Sequence, residues 1–375
     1  MRLDTGPPDG SRRGRGRFRH SGGGGKGVKL GIIGLTQSGK STAIFALTGQ
    51  TPGAAGLVGK HQAVVPVPDE RLDALFQIYP RDRRVPATVE FIDYGEIPRD
   101  SSAYWANVRL ADALVHVVAG FDPVSREERD SSALRAAYNE LNAELAVSDL
   151  DIIERRRDKL SKQIKRPTKT QDQDLEELAL LERMLEAENA GGSFADVEMS
   201  DSEAKLLRSF QLLTRKPELV LLNLSENAWS NRGEIKAAFP ENVQFIEMCA
   251  IIEVELGQLE ESERGEFAEL YEIAEPVGPR AITAAYGVSG SIRFYTVGKD
   301  EVRAWTIPAG LSAKEAAAKV HTDMAKGFIR AKTIAFDDLS AHGSEKAAKE
   351  KGLVRLEGKD YRVADGDVLE FHFSK

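Results

Sequence analysis

The residues whose types and spacing point most directly to a chemical role lie at positions 31–42, in the run Gly-Ile-Ile-Gly-Leu-Thr-Gln-Ser-Gly-Lys-Ser-Thr. The part from Gly34 to Ser41 has the spacing G-x-x-x-x-G-K-S, in which glycines let several backbone N–H groups face one anion. In this pattern the lysine reaches the β- and γ-phosphates of a nucleotide, and the next hydroxyl holds Mg²⁺. The predicted nucleotide-binding residues of this loop are Gly34, Gln37, Ser38, Gly39, Lys40, Ser41 and Thr42.

The segments on either side of the loop fit that role. Residues 28–33 are an apolar run that predicts a buried strand, and residues 41–47 predict the first turns of a helix that ends near Gly49. A helix that begins at Lys40 adds its positive end to the anion site. The alternative is a glycine turn before an ordinary helix, but a strand, a glycine loop and a helix in this order favour a phosphate site.

Acidic residues after a later strand are candidates for metal binding and catalysis. Asp93 ends the predicted strand 87–93, where an acid can hold Mg²⁺ through water; the alternative is an aspartate that caps the next turn. Ser41 and Asp93 are therefore the predicted metal ligands. Glu96 is the candidate for orienting an attacking water, although a solvated loop acid is the favoured interpretation.

The residues that follow the predicted strand 219–222 bear on which base is bound. P-loop GTPases usually have Asn-Lys-x-Asp here, and the aspartate accepts from the N1 and N2 protons of guanine. This chain has Asn223-Leu224-Ser225-Glu226 instead. Because the Asn223 amide can still pair with N7 and N6 of adenine, ATP is the predicted ligand, with GTP less favoured and Glu226 as a second base contact. A helix cap formed by Asn223 or Ser225 is the other interpretation.

Length and composition indicate a globular chain of more than one domain. It has 375 residues, of which 29% are charged and 41% apolar, and no apolar run approaches the roughly 20 residues that a membrane helix needs. The single cysteine, Cys249, excludes an intramolecular disulfide and a cysteine-based zinc cluster, and it fits a reducing cytoplasm. We expect a cytoplasmic monomer that binds neither membrane nor DNA. Three other reactive side chains receive structural interpretations. His61 is interpreted as a surface residue, His321 as a structural cap or packing residue, and Cys249 as a small residue near the base.

Alternating predicted strands and helices favour an α/β fold with a mostly parallel sheet, whose ligands bind at the carboxyl ends of the strands. Gly34, Asp93 and Asn223 all fall at such ends. The predicted parts are an Arg/Gly-rich disordered tail (1–27), a P-loop NTPase domain (28–124 and 201–280), an inserted antiparallel helical hairpin or coiled coil (125–200) and a ubiquitin-like α+β domain (281–375). The tail could touch RNA, although a solvated tail, or residues upstream of the true start codon, is favoured.

The insertion is predicted from two runs of regularly spaced apolar residues. These are Leu134, Tyr138, Leu141 and Leu145 in the first arm, and Leu175, Leu178, Leu181 and Leu185 in the second. The first arm ends in a basic stretch, 155–166, and the second arm carries many acids. The opposite charges can face each other across the pair, or the basic tip near Pro167 can touch RNA phosphates; both interpretations stand at this point.

Several of these segments together resemble the YchF-type Obg-like ATPases, a branch of the translation-factor class of P-loop GTPases. The resemblance is carried by residues 34–42, Val-Val-Pro-Val-Pro-Asp at 64–69, 145–151 and 223–226, and most specifically by the C-terminal runs 302–307, 321–323, 326–329, 336–338, 354–361 and 365–368. It covers residues 28–375. The resemblance implies a C-terminal TGS domain, Mg²⁺-dependent binding of ATP in preference to GTP, slow hydrolysis, and association with the ribosome or ribosomal RNA in the cytoplasm.

The chain departs from the family pattern at the segments expected to move. The segment 56–61 offers no hydroxyl where the family's first switch has a threonine, and Asp93-Tyr94-Gly95-Glu96 displaces the glycine of the second switch by one position. The loop 98–104 is shorter, Gln37 replaces the usual asparagine, and Cys249-Ala250-Ile251 replaces Ser-Ala-Lys. Nucleotide binding is therefore better supported than turnover. A hydrolysis-deficient interaction module and a guanine-specific GTPase are the rival hypotheses.

Overall fold

The computed structural model describes residues 27–49, 62–98, 101–165, 170–229, 232, 239 and 243–374. The predicted tail up to residue 26, the switch-like segment 56–61 with His61, and the tip around Pro167 lie outside the described residues. None of the helices in the described part of the chain combines the length and the apolar surface that a bilayer crossing requires.

Across the described residues, twelve strands form two six-stranded sheets. The strands are β1 (Val28–Ile33), β2 (Gln62–Pro66), β3 (Arg83–Val85), β4 (Thr88–Asp93), β5 (Ala113–Ala119), β6 (Glu218–Asn223), β7 (Phe245–Met248), β8 (Ser291–Val297), β9 (Glu301–Pro308), β10 (Phe328–Ala335), β11 (Arg355–Glu357) and β12 (Asp367–Phe373). The first sheet has the order β2-β4-β1-β5-β6-β7; β2 is antiparallel to β4, and the other pairs are parallel. The predicted α/β class is confirmed.

Fourteen helices accompany these strands in the same described residues. They are α1 (Lys40–Thr48), α2 (Glu70–Ile78), α3 (Ser102–Val108), α4 (Ser131–Gln163), α5 (Gln171–Asn189), α6 (Asp201–Leu207), α7 (Glu226–Trp229), α8 (Ala250–Gln258), α9 (Glu261–Leu270), α10 (Val277–Val288), α11 (Ala313–Val320), α12 (Thr322–Lys326), α13 (Phe336–His342) and α14 (Glu345–Glu350). All seven residues of β5 are buried, as expected for a central parallel strand covered by helices on both faces.

The long helices α4 and α5 occupy the region of the predicted insertion. Arg156 bonds Glu177, and Gln163 bonds Asp174, so the end of α4 lies beside the start of α5 and the two helices run antiparallel. Their shared core includes Ile153, Leu160, Leu178, Leu181, Met184 and Leu185.

The first half of α4 packs elsewhere, which differs from the sequence-based expectation. Leu134 and Tyr138 join a core with residues of β5 and β6, whereas Leu141 and Leu145 pack with residues of α3. Leu175 is 46% exposed. The prediction that these five residues pack between the two arms is wrong. Because α4 is 33 residues long and α5 only 19, the first half of α4 extends beyond its partner and lies against the first sheet.

The second sheet is completed by a strand from the first third of the chain. Its order is β11-β10-β12-β8-β9-β3, and the short strand β3 pairs in parallel with β9. The sequence analysis did not foresee β3, because three residues are too few to show a period of two.

A buried polar cluster joins the two sheets. Asp69 caps α2 by accepting a hydrogen bond from the Leu72 N–H, and its carboxylate also accepts from the Tyr295 hydroxyl at 3.0 Å. The Arg293 guanidinium lies 3.2 Å from the same carboxylate, whose side chain is 1% exposed. The charge of Asp69 is therefore compensated by the C-terminal sheet, which fixes that sheet against the segment following β2.

Candidate nucleotide-binding site

The loop between β1 and α1 has the backbone geometry of an anion site. Gln37 and Gly39 have positive φ, 60° and 93°, and Gly39 immediately precedes α1. A Cβ on Gly39 would lie 2.3 Å from the Asn223 Nδ2, and one on Gly34 would lie 2.6 Å from the Val117 carbonyl oxygen. Close approach of neighbouring groups therefore demands glycine at both positions, and the left-handed backbone demands it again at Gly39.

The Lys40 ammonium lies inside this loop. The side chain is buried, and Nζ donates to the carbonyls of Gly34 at 2.9 Å and Leu35 at 3.0 Å. Burial lowers the pKa of Lys40, while the nearby charges of Asp93 and Glu96 act in the opposite direction. A lysine held in this way can exchange loop carbonyls for phosphate oxygens, which compensate its charge better.

Ser41 and Asp93 bring two oxygen atoms together at the start of α1. The Ser41 hydroxyl donates to Asp93 Oδ2 at 3.1 Å, and Asp93 is buried. Mg²⁺ takes a carboxylate together with substrate phosphates and waters, so this donor set fits the ion. The described ranges contain no group of three or more His, Cys, Asp or Glu residues arranged to hold a metal, so the protein's own share of this donor set is the Ser41–Asp93 pair.

The other oxygen of Asp93 closes a short turn. Asp93 Oδ1 accepts from the Gly95 N–H at 2.8 Å, and Gly95 has a φ of 80°. The N–H of this displaced glycine is therefore bonded to Asp93. The spacing Asp-x-Gly, which the sequence analysis treated as a displaced glycine, is also the spacing of this Asx turn.

Asn223 connects three parts of the site. It is buried, its Nδ2 donates to the Ser38 carbonyl at 3.1 Å, and its Oδ1 accepts from the Ala250 N–H at 3.0 Å. These bonds tie the end of β6 to the phosphate loop and to the start of α8. The sequence analysis missed this bridge, because it depends on segments far apart in the chain. The predicted helix cap is present at Ser225, whose hydroxyl accepts from the Ala228 N–H.

The other predicted site residues lie around this centre. Gln37, Glu96 and Glu226 are exposed, and Thr42 is half-buried in the first turn of α1. Cys249 is buried at the start of α8, and burial raises the pKa of its thiol, which disfavours a nucleophilic role. The role of His321 as a structural cap is confirmed, since its Nδ1 accepts from the Asp323 N–H before α12.

A second candidate surface lies at the far end of α4. Arg156 forms a bidentate pair with Glu177 at 2.6 and 2.7 Å, so pairing of charges across the two helices is confirmed for this residue. Lys159, Lys162 and Lys165 are exposed and make no salt bridge to any residue that the structure describes. The end of α4 therefore carries basic groups available to an external anion.

A glycine loop between a buried parallel strand and a helix, with a buried lysine and a Ser–Asp oxygen pair, defines the P-loop class of nucleotide-binding proteins. A curated relative from Pasteurella multocida, "Ribosome-binding ATPase YchF", is 37% identical over 370 residues, which cover 93% of this chain and 99% of the relative. The relative of the same name from Bacillus subtilis is 35% identical over 367 residues, covering 92% and 99%.

Two further comparisons agree with these. The family model YchF-GTPase_C, described as a protein of unknown function (DUF933), matches residues 291–374. The solved structure of the Schizosaccharomyces pombe YchF GTPase matches with a TM-score of 0.79 and 27% identity, over 93% of this chain and 98% of that one. The chain belongs to the YchF family.

Proposed function

We propose that this protein is a Mg²⁺-dependent, ATP-binding P-loop protein of the Obg-like type, which hydrolyses ATP slowly and works in association with the ribosome. The observation that carries this proposal is the convergence of the phosphate loop, the Lys40 Nζ and the Ser41–Asp93 pair at the carboxyl ends of β1 and β4. Here Lys40 and the loop amides would hold the phosphates. Ser41 would hold the ion directly, and Asp93 would hold it through water, so that its charge offsets that of the phosphates.

The choice of base rests on the end of β6. The Asn223 amide uses one N–H to bond the Ser38 carbonyl and one oxygen lone pair to accept from the Ala250 N–H. Its second N–H and second lone pair remain for a base. The exposed Glu226 is the proposed neighbouring contact. The bacterial relatives are named as ATPases and the fission yeast protein as a GTPase, so both nucleotides belong in the test.

Isothermal titration with ATP and with GTP, each with and without Mg²⁺, tests the proposal. We expect tighter binding of ATP, strengthened by Mg²⁺ and lost in Lys40→Ala. Tighter binding of GTP would overturn the choice of base, and equal binding by Lys40→Ala would overturn the site. An Asn223→Ala variant should weaken both nucleotides, because its bridge supports the phosphate loop as well as the base.

One observation favours a hydrolysis-deficient interaction module as the second candidate function. The Gly95 N–H is engaged by Asp93, so the γ-phosphate would need this turn to open before that amide could bind it. Single-turnover ATP hydrolysis, with and without ribosomes, separates the candidates. Rates equal to those of Lys40→Ala would favour the module, whereas faster rates would favour the ATPase, with Glu96 tested next as the residue orienting water.

Association with the ribosome is proposed from the relatives' names and from the basic end of α4. Phosphate contacts weaken steeply with salt, because added salt reduces the gain from counterion release, so cosedimentation with ribosomes should fall as salt increases. A triple charge reversal to Glu at Lys159, Lys162 and Lys165 should reduce binding and flatten the salt dependence. The matched control reverses three exposed lysines from the part of the chain that carries the second sheet: Lys299, Lys314 and Lys349. Equal binding by both triple variants would remove the end of α4 from the proposal.

The finer architecture belongs to the same proposal. We assign residues 28–124 and 201–280 to the nucleotide-binding domain, 125–200 to an insertion in which the second half of α4 forms an antiparallel helical hairpin with α5, and 281–375 to a TGS domain of ubiquitin-like type. The core shared by α4 and α5 and the second sheet support these assignments. A cytoplasmic monomer is proposed with them, and sedimentation equilibrium of the purified chain tests the oligomeric state.

A further inference from the structure

A small cavity lies between the phosphate loop and β5. The loop, β5 and α4 all contribute to its lining, which includes Leu35, Thr36, Ser38, residues 116–119 and Ala137. The cavity leaves about 10 Å³ for the centre of a water-sized molecule, which is room for one water. One small polar molecule can therefore be bound here if polar atoms of the lining face it.

Ser38 supplies one polar atom that lacks a partner. The residue is 2% exposed, and its hydroxyl has no hydrogen-bond partner among the described residues. A Cβ on Gly34 would lie 2.6 Å from Ser38 Oγ, so the hydroxyl is turned inward, against the backbone at the start of the loop. Buried polar groups in native proteins are nearly always hydrogen-bonded. An unpaired hydroxyl in the lining of a water-sized cavity therefore indicates a bound molecule.

His116 supplies a second polar atom from β5. Its imidazole is 1% exposed, and Nδ1 lies 2.7 Å from Glu218 Oε1. Because an ionised carboxylate only accepts, Nδ1 donates in that bond, and Nε2 is the nitrogen left for a group in the cavity. Glu218 also accepts from the Tyr138 hydroxyl at 3.3 Å, and the His116 and Tyr138 rings stack at 5.3 Å, so the imidazole is held in one orientation. Arg129, the charged residue of the lining, donates to the Ala119 carbonyl at 3.3 Å.

We propose that this cavity is a water-binding site, in which one water molecule bonds both Ser38 Oγ and His116 Nε2. A water can donate to the imidazole nitrogen and accept from the hydroxyl, so the same molecule satisfies both groups. The result is a hydrogen-bonded chain from the phosphate loop through His116 to Glu218, at the start of β6. Asn223 holds the Ser38 carbonyl from the other end of β6, so the loop is tied to the sheet at two points. This inference goes beyond the proposed function, because the water is bound whether or not a nucleotide is present.

Thermal unfolding of Ser38→Ala without nucleotide distinguishes a hydrated cavity from a dry one. If the water is bound, the variant loses a hydrogen bond and should melt about 2–4 °C below the native protein. If the hydroxyl is unpaired, its removal should leave the melting temperature unchanged or raise it, and that result would overturn the inference. A high-resolution crystal structure of the native protein should show one water within hydrogen-bond distance of both atoms, and a cavity without density would also overturn it.

Thr333→Val is the matched control. Thr333 in β10 is 0% exposed, its hydroxyl also lacks a partner in the part of the chain that the structure describes, and it lies outside the lining of this cavity. Valine keeps the shape of threonine, so this variant should melt at the native temperature or above it. A fall equal to that of Ser38→Ala would show that losing a buried hydroxyl lowers stability without a bound water, and the inference would fail.

His116→Phe tests the bridge itself. Phenylalanine keeps the stacked ring but removes the nitrogen, so the water loses one of its two partners. In this background, Ser38→Ala should no longer lower the melting temperature, because the effects of two groups that share one water are not additive. An equal fall in the native and the His116→Phe backgrounds would show that Ser38 and His116 do not share a water, and it would refute the proposed site.

Discussion

Replacing Asp149 with alanine should destabilise the junction between α4 and the first sheet far more than the replacement of any surface acid on the same helix. The Asp149 side chain is 0% exposed and receives hydrogen bonds from the N–H groups of Leu213 at 3.0 Å and Thr214 at 2.9 Å. The Thr214 hydroxyl donates at 2.8 Å, and the Arg109 guanidinium donates at 2.5 Å. One buried charge therefore joins α4 to the end of α3 and to the segment leading into β6.

The magnitude follows from what alanine leaves behind. Removing one partner of a buried ion pair costs about 3–5 kcal/mol, because the other charge remains buried and uncompensated. Arg109 is 9% exposed, so it cannot recover its solvation by turning outward. By contrast, the exposed pair of Arg155 and Asp151 on the same helix contributes about 0–1 kcal/mol. We therefore expect a loss of about 4 kcal/mol for Asp149→Ala and under about 1 kcal/mol for Asp151→Ala.

Urea unfolding monitored by circular dichroism measures these differences in the free energy of unfolding. Asp149→Asn keeps the shape and one acceptor oxygen but loses the charge, so it should fall between the native protein and Asp149→Ala. The double variant Arg109→Met with Asp149→Leu removes both buried charges and should be more stable than Asp149→Ala, because no uncompensated charge remains.

Two results would refute this reasoning. If Asp149→Ala lost no more stability than Asp151→Ala, the four converging hydrogen bonds would not be holding the junction. If the double variant were no more stable than Asp149→Ala, compensation of Arg109 would not be the source of the loss, and the unpaired N–H groups of Leu213 and Thr214 would account for it.

Three further predictions concern the loop, its lysine and the contact between the sheets. Gly39→Ala should weaken ATP binding at least about tenfold. A φ of 93° costs a residue with a side chain about 1–2 kcal/mol, and the new Cβ would lie 2.3 Å from the Asn223 Nδ2. An affinity equal to that of the native protein, measured by titration with ATP, would contradict this prediction. ATP affinity should be full at neutral pH and should fall as the pH rises through the pKa of Lys40, which burial lowers below its ordinary 10.5. The reason is that only the protonated amine attracts phosphate. If the affinity of the native protein and that of Lys40→Arg changed in the same way up to about pH 10, the prediction would be contradicted. Asp69→Ala should lower the free energy of unfolding by about 2–4 kcal/mol, because it removes the cap of α2 and leaves the Tyr295 hydroxyl unpaired. A loss under about 1 kcal/mol, measured by unfolding in urea, would show that the cluster does not join the sheets.

The sequence alone determined the phosphate loop and the elements on either side of it. The spacing from Gly34 to Ser41, the apolar run of β1 and the helix start at Lys40 can all be read from a few consecutive residues, although distant groups also require the two glycines. The same holds for the order of strands and helices, because period and burial are properties of a few consecutive residues. The α/β class and the strand-end positions of Asp93 and Asn223 could therefore be predicted.

The tertiary structure decided what those local elements do to one another. The bridge from Asn223 to the phosphate loop, the addition of β3 to the second sheet and the bond from Tyr295 to Asp69 each join segments far apart in the chain. The spacing of residues along the chain does not predict such contacts, because they depend on which strands become neighbours and on which side chains fill the space between them. The first half of α4 shows the same limit: its apolar spacing predicted a buried face, but only the packed sheet determined which partner covers it.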